Sequence, residues 1–534
     1  MRSFWSRHFA LAAALSALAA VPLVAQLVDQ SQTPNSARSG IAKSYQQQIG
    51  AGRGDVNTEG SSLYIIARDP ARAIRRGRQI FQRKFTRLHG QGPLEGDGSG
   101  DIHGNLIIGA GLADSCAACH GRPKGSAGVG GDVATRPDSR DAPHLFGLGL
   151  KEMLADEITS ELRAIRAQAI ADARRFGRDI RRDLVGKGIS FGQITARPNG
   201  SVDTSRVSGV NTDLRVRPFF HHGETMSIRE FVVGAFNAEM GLESADPDMI
   251  AARRRTRVVT PSGMVLDGRI DTIEAPPAQN DADDADDDGV ANEIPTSVVD
   301  FMEFYLLNYF KAGTGQPSTE AQQGRNLFVR RRSEGGLSCA ECHVPDLRVD
   351  RDRRVADVET VFDPARGNPL NRLFATATLR LTATDDGSGH PTLKRPSAQP
   401  FVVRNIYTDF KRHDLGPNFH EINYDGSVRR QFLTTALWGV GNTGPYGHDG
   451  RSMNLEDVIL RHGGEAQASR EAFARLSGPS RRQVVAFLNT LVLFPPDDTA
   501  SNLQPAEPAV AGYPQVGHGS IRLGALFNDP NEPE

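Results

Sequence analysis

The sequence predicts a mainly α-helical chain of two tandem domains built to one plan, with long loops and insertions. Three observations carry this. All four cysteines fall in two copies of one short motif. Each copy sits among matching helix and turn segments. Apolar residues in the best-patterned stretches recur at helical spacing.

The chain has 534 residues, enough for two or three full cores, and 55 glycines and 31 prolines predict many loops. Basic and acidic residues nearly balance, 62 against 64, which argues against nucleic acid or an anionic membrane as partner. Residues 1–25 read as an export signal: Arg2, Arg7 and His8 precede an Ala/Leu-rich stretch, and Leu23-Val24-Ala25 offers small residues for cleavage. A periplasmic location is therefore expected, with no membrane span after cleavage; an uncleaved anchor is the alternative. Residues 26–70 and 499–534 are a polar N-terminal segment and a polar tail.

The two motifs are Cys116-Ala117-Ala118-Cys119-His120 and Cys339-Ala340-Glu341-Cys342-His343. Cys-x-x-Cys-His is the attachment signature of c-type haem. Two thiols one helical turn apart add to the two vinyl groups, and the adjacent histidine binds the iron. A disulfide pair, a zinc site or a thioredoxin-like redox pair are the alternatives, disfavoured by the duplication with no cysteine left over. Two covalently bound haem c groups are the expected cofactors.

Each motif lies within a longer repeat. Gly77-Arg78-Gln79-Ile80-Phe81 precedes the first, and Gly324-Arg325-Asn326-Leu327-Phe328 the second. Pro218-Phe219-Phe220-His221-His222-Gly223 aligns without a gap with Pro445-Tyr446-Gly447-His448-Asp449-Gly450. Ala142 to Gly149 aligns with Thr434 to Gly441, placing Phe146 opposite Trp438; Trp438 is expected to pack beside the second haem, with a role as electron conduit the alternative. Each half closes with a helix: Val298, Phe301, Met302 and Tyr305 in the first, and Val484, Phe487, Leu488 and Leu491 in the second, follow i, i+3, i+4, i+7. The expected units are two cytochrome c-like haem domains, 71–313 and 316–498. A long amphipathic helix over about 151–186 is inserted in the first, and extra length at 344–433 in the second.

The arrangement resembles the bacterial di-haem cytochrome c peroxidase superfamily over most of residues 71–498. It looks closest to the peroxidase-like di-haem oxidoreductase branch, through His448-Asp449-Gly450-Arg451, Arg461-His462-Gly463-Gly464-Glu465-Ala466 and Thr435 to Gly441. The resemblance implies a reactive N-terminal haem and a six-coordinate, electron-relaying C-terminal haem. It puts the second axial ligand of the latter at His462, opposite His343; His413 and Met453 are the other candidates, and His448 is expected to fix the turn or bind a propionate. The position matching His462 in the first half is Ala235, which cannot bind iron, so the first haem is expected to be open; His144, His221 and Met240 stay as alternative distal ligands. Gly234 to Gly241 resembles the stretch carrying the acid/base of these peroxidases, with two residues fewer, and Glu239 is the residue that matches. The expected function is a periplasmic di-haem c-type oxidoreductase of peroxidase type. It would take hydrogen peroxide or oxygen, and electrons from a small donor protein, a c-type cytochrome or cupredoxin. The alternatives are a haem-dependent oxygenase of an organic substrate and a non-catalytic di-haem electron carrier.

One feature stands outside the repeat. Asp284, Asp286 and Asp288 alternate before Gly289, and Glu293 follows, like the first part of a calcium loop. The glutamate comes too early for a regular EF-hand. Calcium on these four residues is the expectation, and a solvated acidic linker the alternative.

Overall fold

The computed structural model describes residues 44–92, 113–121, 141–309, 317–356, 359–362, 373–376, 396–423, 426–441 and 443–492. The export signal and the tail at 499–534 lie outside the described residues. In the first half, helices α1 (Tyr45–Ile49), α2 (Ser62–Arg68) and α3 (Pro70–Gln82) precede the motif helix α4 (Cys116–His120). Asp69 caps α3 by accepting from the Arg72 amide at 3.1 Å, and Pro70 occupies its first position, where no amide donor is needed.

Helix α5 (Leu148–Phe176) is the expected insertion, but it is shorter than predicted. Gly177 ends it in the left-handed conformation. Residues 180–186, expected to be helical, form strand β1 (Ile180–Gly186) instead, paired antiparallel with β2 (Ile189–Ala196), which in turn pairs with β3 (Val202–Val207). Lys187 and Gly188 both have positive φ, the requirement of a two-residue hairpin turn whose twist suits the strands. Buried Ile189 and Phe191, then Ile194 and Ala196, alternate along β2 in two phases about an irregularity near Gln193, and β2 packs on α5.

Helices α6 (Ile228–Met240) and α7 (Pro247–Arg253) and the ladder of β4 (Arg257–Val259) with β5 (Val265–Asp267) lead to α8 (Thr296–Asn308). In α8 the four predicted core residues are all buried, as are the rest of its residues after Thr296. The second half opens with α9 (Thr319–Val329). Short strands follow: β6 (Leu347–Val349), β7 (Glu359–Phe362), β8 (Leu373–Thr376), β9 (Phe401–Val403), β10 (Arg412–Asp414), β11 (Glu421–Ile422), β12 (Val428–Arg429) and β13 (Gln431–Leu433). They pair as two-stranded antiparallel ladders, β6 with β9, β7 with β8, β10 with β13 and β11 with β12. Helices α10 (Leu455–Arg461), α11 (Gln467–Ala474) and α12 (Gly478–Leu488) close the half. Helix still outweighs strand among the described residues, so the prediction of a mainly helical chain is corrected to helices with small sheets.

The helix crossing occurs twice in the same form. Gly77 of α3 lies on α8, where an added Cβ would sit 2.2 Å from the Phe301 carbonyl oxygen. Gly324 of α9 lies on α12, where it would sit 1.8 Å from the Gln483 carbonyl oxygen. These aligned glycines let two backbones touch, and each crossing precedes a motif. The turns repeat as well. Phe219 bridges Thr225 before α6, and Tyr446 bridges Ser452 before α10. Ser227 and Asn454 then cap the two helices, accepting from the Glu230 and Asp457 amides.

Buried apolar side chains fall into two clusters. The smaller joins α9 and α12 through Phe328, Val484, Phe487 and Leu488. The larger is built on α3, α5, α6 and α8, but also takes in Val349, Val403, Phe410, Ala436 and Trp438. Part of the second half therefore completes the core of the first. Trp438, expected beside the second motif, packs in this larger core against Gly147, which has no room for a Cβ beneath the indole.

Candidate di-haem centre

Both motifs form short helical turns. Cys116 and Cys119 lie one turn apart on α4, and Cys339 to Glu341 form a single 3₁₀ turn leading to Cys342. None of the four cysteines is in a disulfide. Burial pushes the Cys116 and Cys339 thiols up to about 12, so both are held as neutral thiols.

The histidines carry the clearest signal. His120 Nδ1 is 2.8 Å from the Pro143 carbonyl oxygen, and His343 Nδ1 is 3.0 Å from that of Tyr407. A carbonyl only accepts, so Nδ1 carries the proton in both, and Nε2 keeps its lone pair for a metal. This is the usual way a ligating imidazole is oriented from behind. His462 repeats the device: its Nδ1 is 2.6 Å from the Val458 carbonyl oxygen, at the C-terminal end of α10. His462 and His343 are close enough to interact electrostatically. Burial first, and then His462, bring His343 down to about 4, against the pull of the Tyr407 carbonyl. Burial also lowers His462. Phe328 lies 6.0 Å from the His343 ring, and Phe419 lies edge-on 5.3 Å from the His462 ring.

The competing ligands for this second centre are otherwise engaged. His413 is held between Asp409, at 2.9 Å on Nε2, and Glu465, at 2.7 Å on Nδ1. Met453 is 77 % exposed. His448 belongs to a buried cluster between the two repeated turns. Glu421 lies 3.1 Å from His222 Nε2 and 3.7 Å from His448 Nε2, and Phe432 stacks on His448 at 4.1 Å. The sequence offers no sign of Glu421, because its two partners come from opposite halves.

Around His120 is a cavity of about 480 Å³, within the range of cofactor and ligand sites. Cys116, Cys119 and His120 form part of its wall, with Phe219, Phe220 and Phe236 among the apolar lining. Ala235, Glu239, Met240, His144 and His221 all line it too. Burial lowers His120, while the Pro143 carbonyl and the Glu239 carboxylate work against that shift. Of the alternative distal ligands, His221 approaches the Asp141 carbonyl oxygen through Nε2 at 3.3 Å. Burial and then Lys151 bring His144 down to about 3, and it bonds the Trp438 backbone. Ala235 offers no ligand atom.

Three further residues were not read from the sequence, two in this cavity and one outside it. Lys151 lines the cavity, and burial brings its ammonium down to about 8. Asp141 lines it as well, and burial pushes its carboxyl up to about 7. Glu243 lies just beyond α6 and joins Asp284 and Asp286, which in turn adjoin Asp288 and Glu293. The four predicted calcium ligands are thus brought together, in the first half and away from both motifs in sequence.

The residues fit two covalent haems. Each motif offers two thiols and an oriented imidazole, one beside an apolar cavity and the other within electrostatic reach of the His462 imidazole. Among the described residues no helix is long and apolar enough to cross a membrane. No curated protein matches the chain significantly. A solved structure of hydrazine synthase from Kuenenia stuttgartiensis, pressurised with xenon, aligns at 13 % identity with a TM-score of 0.22, over 38 % of this chain and 57 % of that one. The present chain thus spans little more than half of that neighbour, and so low a score carries no argument. Residues 375–491 match the family model described as "Di-haem oxidoreductase, putative peroxidase", a segment that holds Trp438, His448 and His462 but neither cysteine motif. That match agrees with the resemblance read from the sequence: over residues 375–491 the chain is similar to the di-haem oxidoreductases.

Proposed function

We propose that the chain is a periplasmic di-haem c-type oxidoreductase of peroxidase type, in which the haem on His120 is reactive and the haem on His343 relays electrons. One observation carries this reading. Three histidines, His120, His343 and His462, turn Nδ1 to a backbone carbonyl and leave Nε2 for a metal, and His462 lies close enough to His343 to interact with it electrostatically. On this reading the second iron takes two imidazoles, and the first takes His120 in a cavity that Ala235, Glu239 and His144 also line, with His144 bonded to the Trp438 backbone.

Haem c, when bound, supplies the redox-active iron at each centre. The chain's own residues do the rest. Cys116 and Cys119, and Cys339 and Cys342, anchor the two rings. The Pro143 and Tyr407 carbonyls hold the ligand imidazoles in one tautomer and raise their basicity. Phe219, Phe220 and Phe236 keep bulk water from the first centre. Cleavage of hydrogen peroxide needs a proton removed from one oxygen and delivered to the departing one, and the Glu239 carboxylate, in the lining of the cavity around His120, would hold that proton. Electrons enter from a small donor protein, a c-type cytochrome or cupredoxin, at the second centre.

Low-temperature electron paramagnetic resonance of the oxidised protein, loaded with two haems per chain, tests this. One high-spin and one low-spin ferric signal in equal amounts is the expected result, with the high-spin signal responding to peroxide. Two low-spin signals that persist on half-reduction overturn it and mark an electron carrier. A stable oxygen adduct inert to peroxide overturns it in favour of an oxygenase.

A further inference from the structure

We propose that Glu243, Asp284, Asp286, Asp288 and Glu293 form a calcium site that ties the end of α6 to the start of α8. Ligand oxygens of Glu243, Asp284 and Asp286 lie within 4.8 Å of one another, and so do those of Asp286, Asp288 and Glu293. Asp286 belongs to both sets, so the five carboxylates form one continuous group. The Glu293 side chain is the second, independent observation. It is only 2 % exposed, and its Oε1 has no hydrogen-bond partner. A carboxylate oxygen buried without a donor is destabilising, and a cation satisfies it. Gly90 lies directly against this carboxylate, where an added Cβ would collide with it.

The charges point the same way. Asp286 and Glu293 repel each other and the carboxylates of Glu243 and Asp288, a repulsion that a divalent cation between them would relieve. Five hard oxygen donors on a loop and a helix end suit calcium, which accepts six to eight oxygens in a flexible shell. Magnesium demands a tighter octahedron and keeps its waters.

The backbone shows what the ion would hold. The Glu243 amide donates to Glu293 Oε2 at 2.5 Å, the Ile294 amide to the Glu243 carbonyl at 2.9 Å, and the Ala285 amide to Glu243 Oε2 at 2.8 Å. Glu243 lies three residues beyond α6, whose last turn carries Glu239, and Thr296 of α8 begins three residues after Glu293. The Tyr45 hydroxyl donates to the Glu293 carbonyl at 2.7 Å and brings α1 to the same point.

The test uses full-length, haem-loaded protein stripped with EGTA and titrated calorimetrically with calcium chloride. Magnesium chloride, and sodium chloride at matched ionic strength, serve as controls. One calcium per chain with Kd of about 10⁻⁷–10⁻⁵ M is expected, with magnesium at least about 100-fold weaker. Saturating calcium should raise the unfolding temperature by about 5 °C. Asp286→Asn should weaken binding by about 100-fold and Glu243→Gln by about 10-fold, since the first residue serves both sets. Absence of binding up to millimolar calcium overturns the proposal, as does an equal response to magnesium or sodium. Unchanged affinity in both variants overturns it too. Should Asp286→Asn not fold, Glu243→Gln, outside the acidic loop, decides.

Discussion

Replacing Gly324 with alanine should weaken the second half, and replacing Gly77 should do the same to the first, by less. A Cβ on Gly324 would sit 1.8 Å from the Gln483 carbonyl oxygen and 2.8 Å from the Val484 amide nitrogen. These are backbone atoms of α12 and cannot rotate away. Reaching ordinary contact near 3.4 Å requires α9 and α12 to part by about 1.6 Å, against about 1.2 Å for Gly77 and the Phe301 oxygen. The parting opens the packing of Phe328 on Phe487, now 5.3 Å between ring centroids. Overpacking of this kind costs about 1–3 kcal/mol, and more when backbone must move. Alanine's better helix propensity returns about 1 kcal/mol. The net loss should be about 1–2 kcal/mol for Gly324→Ala and about 1 kcal/mol for Gly77→Ala. Urea denaturation followed by circular dichroism measures both. An unchanged or raised midpoint for Gly324→Ala would refute the close-crossing argument, and equal effects would refute its ranking. The crossing also positions the second motif, since the Leu337 and Ser338 amides donate to Leu327 and Arg330 of this region. Haem incorporation at Cys339 and Cys342 should therefore fall in the same variant.

Other outcomes follow from the site. His462→Ala should convert the low-spin signal of the second haem to high spin without loss of covalent haem, read by electron paramagnetic resonance and the pyridine haemochrome. Glu239→Gln should slow peroxide turnover by about 100-fold or more while leaving both haem spectra in place, measured by steady-state kinetics. His144 is held near 3, below its ordinary value, by burial and by Lys151, so the folded chain binds fewer protons there than the unfolded one. Its contribution to stability is present above about pH 6.5 and is lost as pH falls toward 3. Urea midpoints from pH 7 to 4 should decline less in His144→Phe than in the native sequence.

Much of the helical frame was legible because helix burial leaves a local trace. Val298, Phe301, Met302 and Tyr305 repeat at the spacing of one helix face, and all four are buried in α8. The cysteine motifs were legible because their chemistry fixes the spacing. Gly77 and Gly324 were visible as aligned positions, but their reason was not, since a backbone contact leaves no periodicity. The strands of the second half are two to four residues long, too short to show alternation. The end of α5 was misread because arginines, with Ile180 and Leu184, continued past Gly177, while the hairpin turn at Lys187-Gly188 was overlooked. Glu243 and Glu421 could not be found at all. Glu243 acts on residues more than forty positions away, and Glu421 joins His448 to His222 of the other half; no local pattern marks such partners.

The shared core sets an order of assembly. Thr408, Phe410 and residues 433–436 close the wall around His120, and Trp438 fills the space behind Gly147. A chain emerging from its N-terminus would thus expose its first haem-binding motif long before that pocket has a far side. The first haem would be attached to an unfinished receptacle, and only the arrival of the second half would seal it. Separate expression of the two halves should yield a C-terminal piece with its own small helical core and an N-terminal piece with an open, solvent-filled groove.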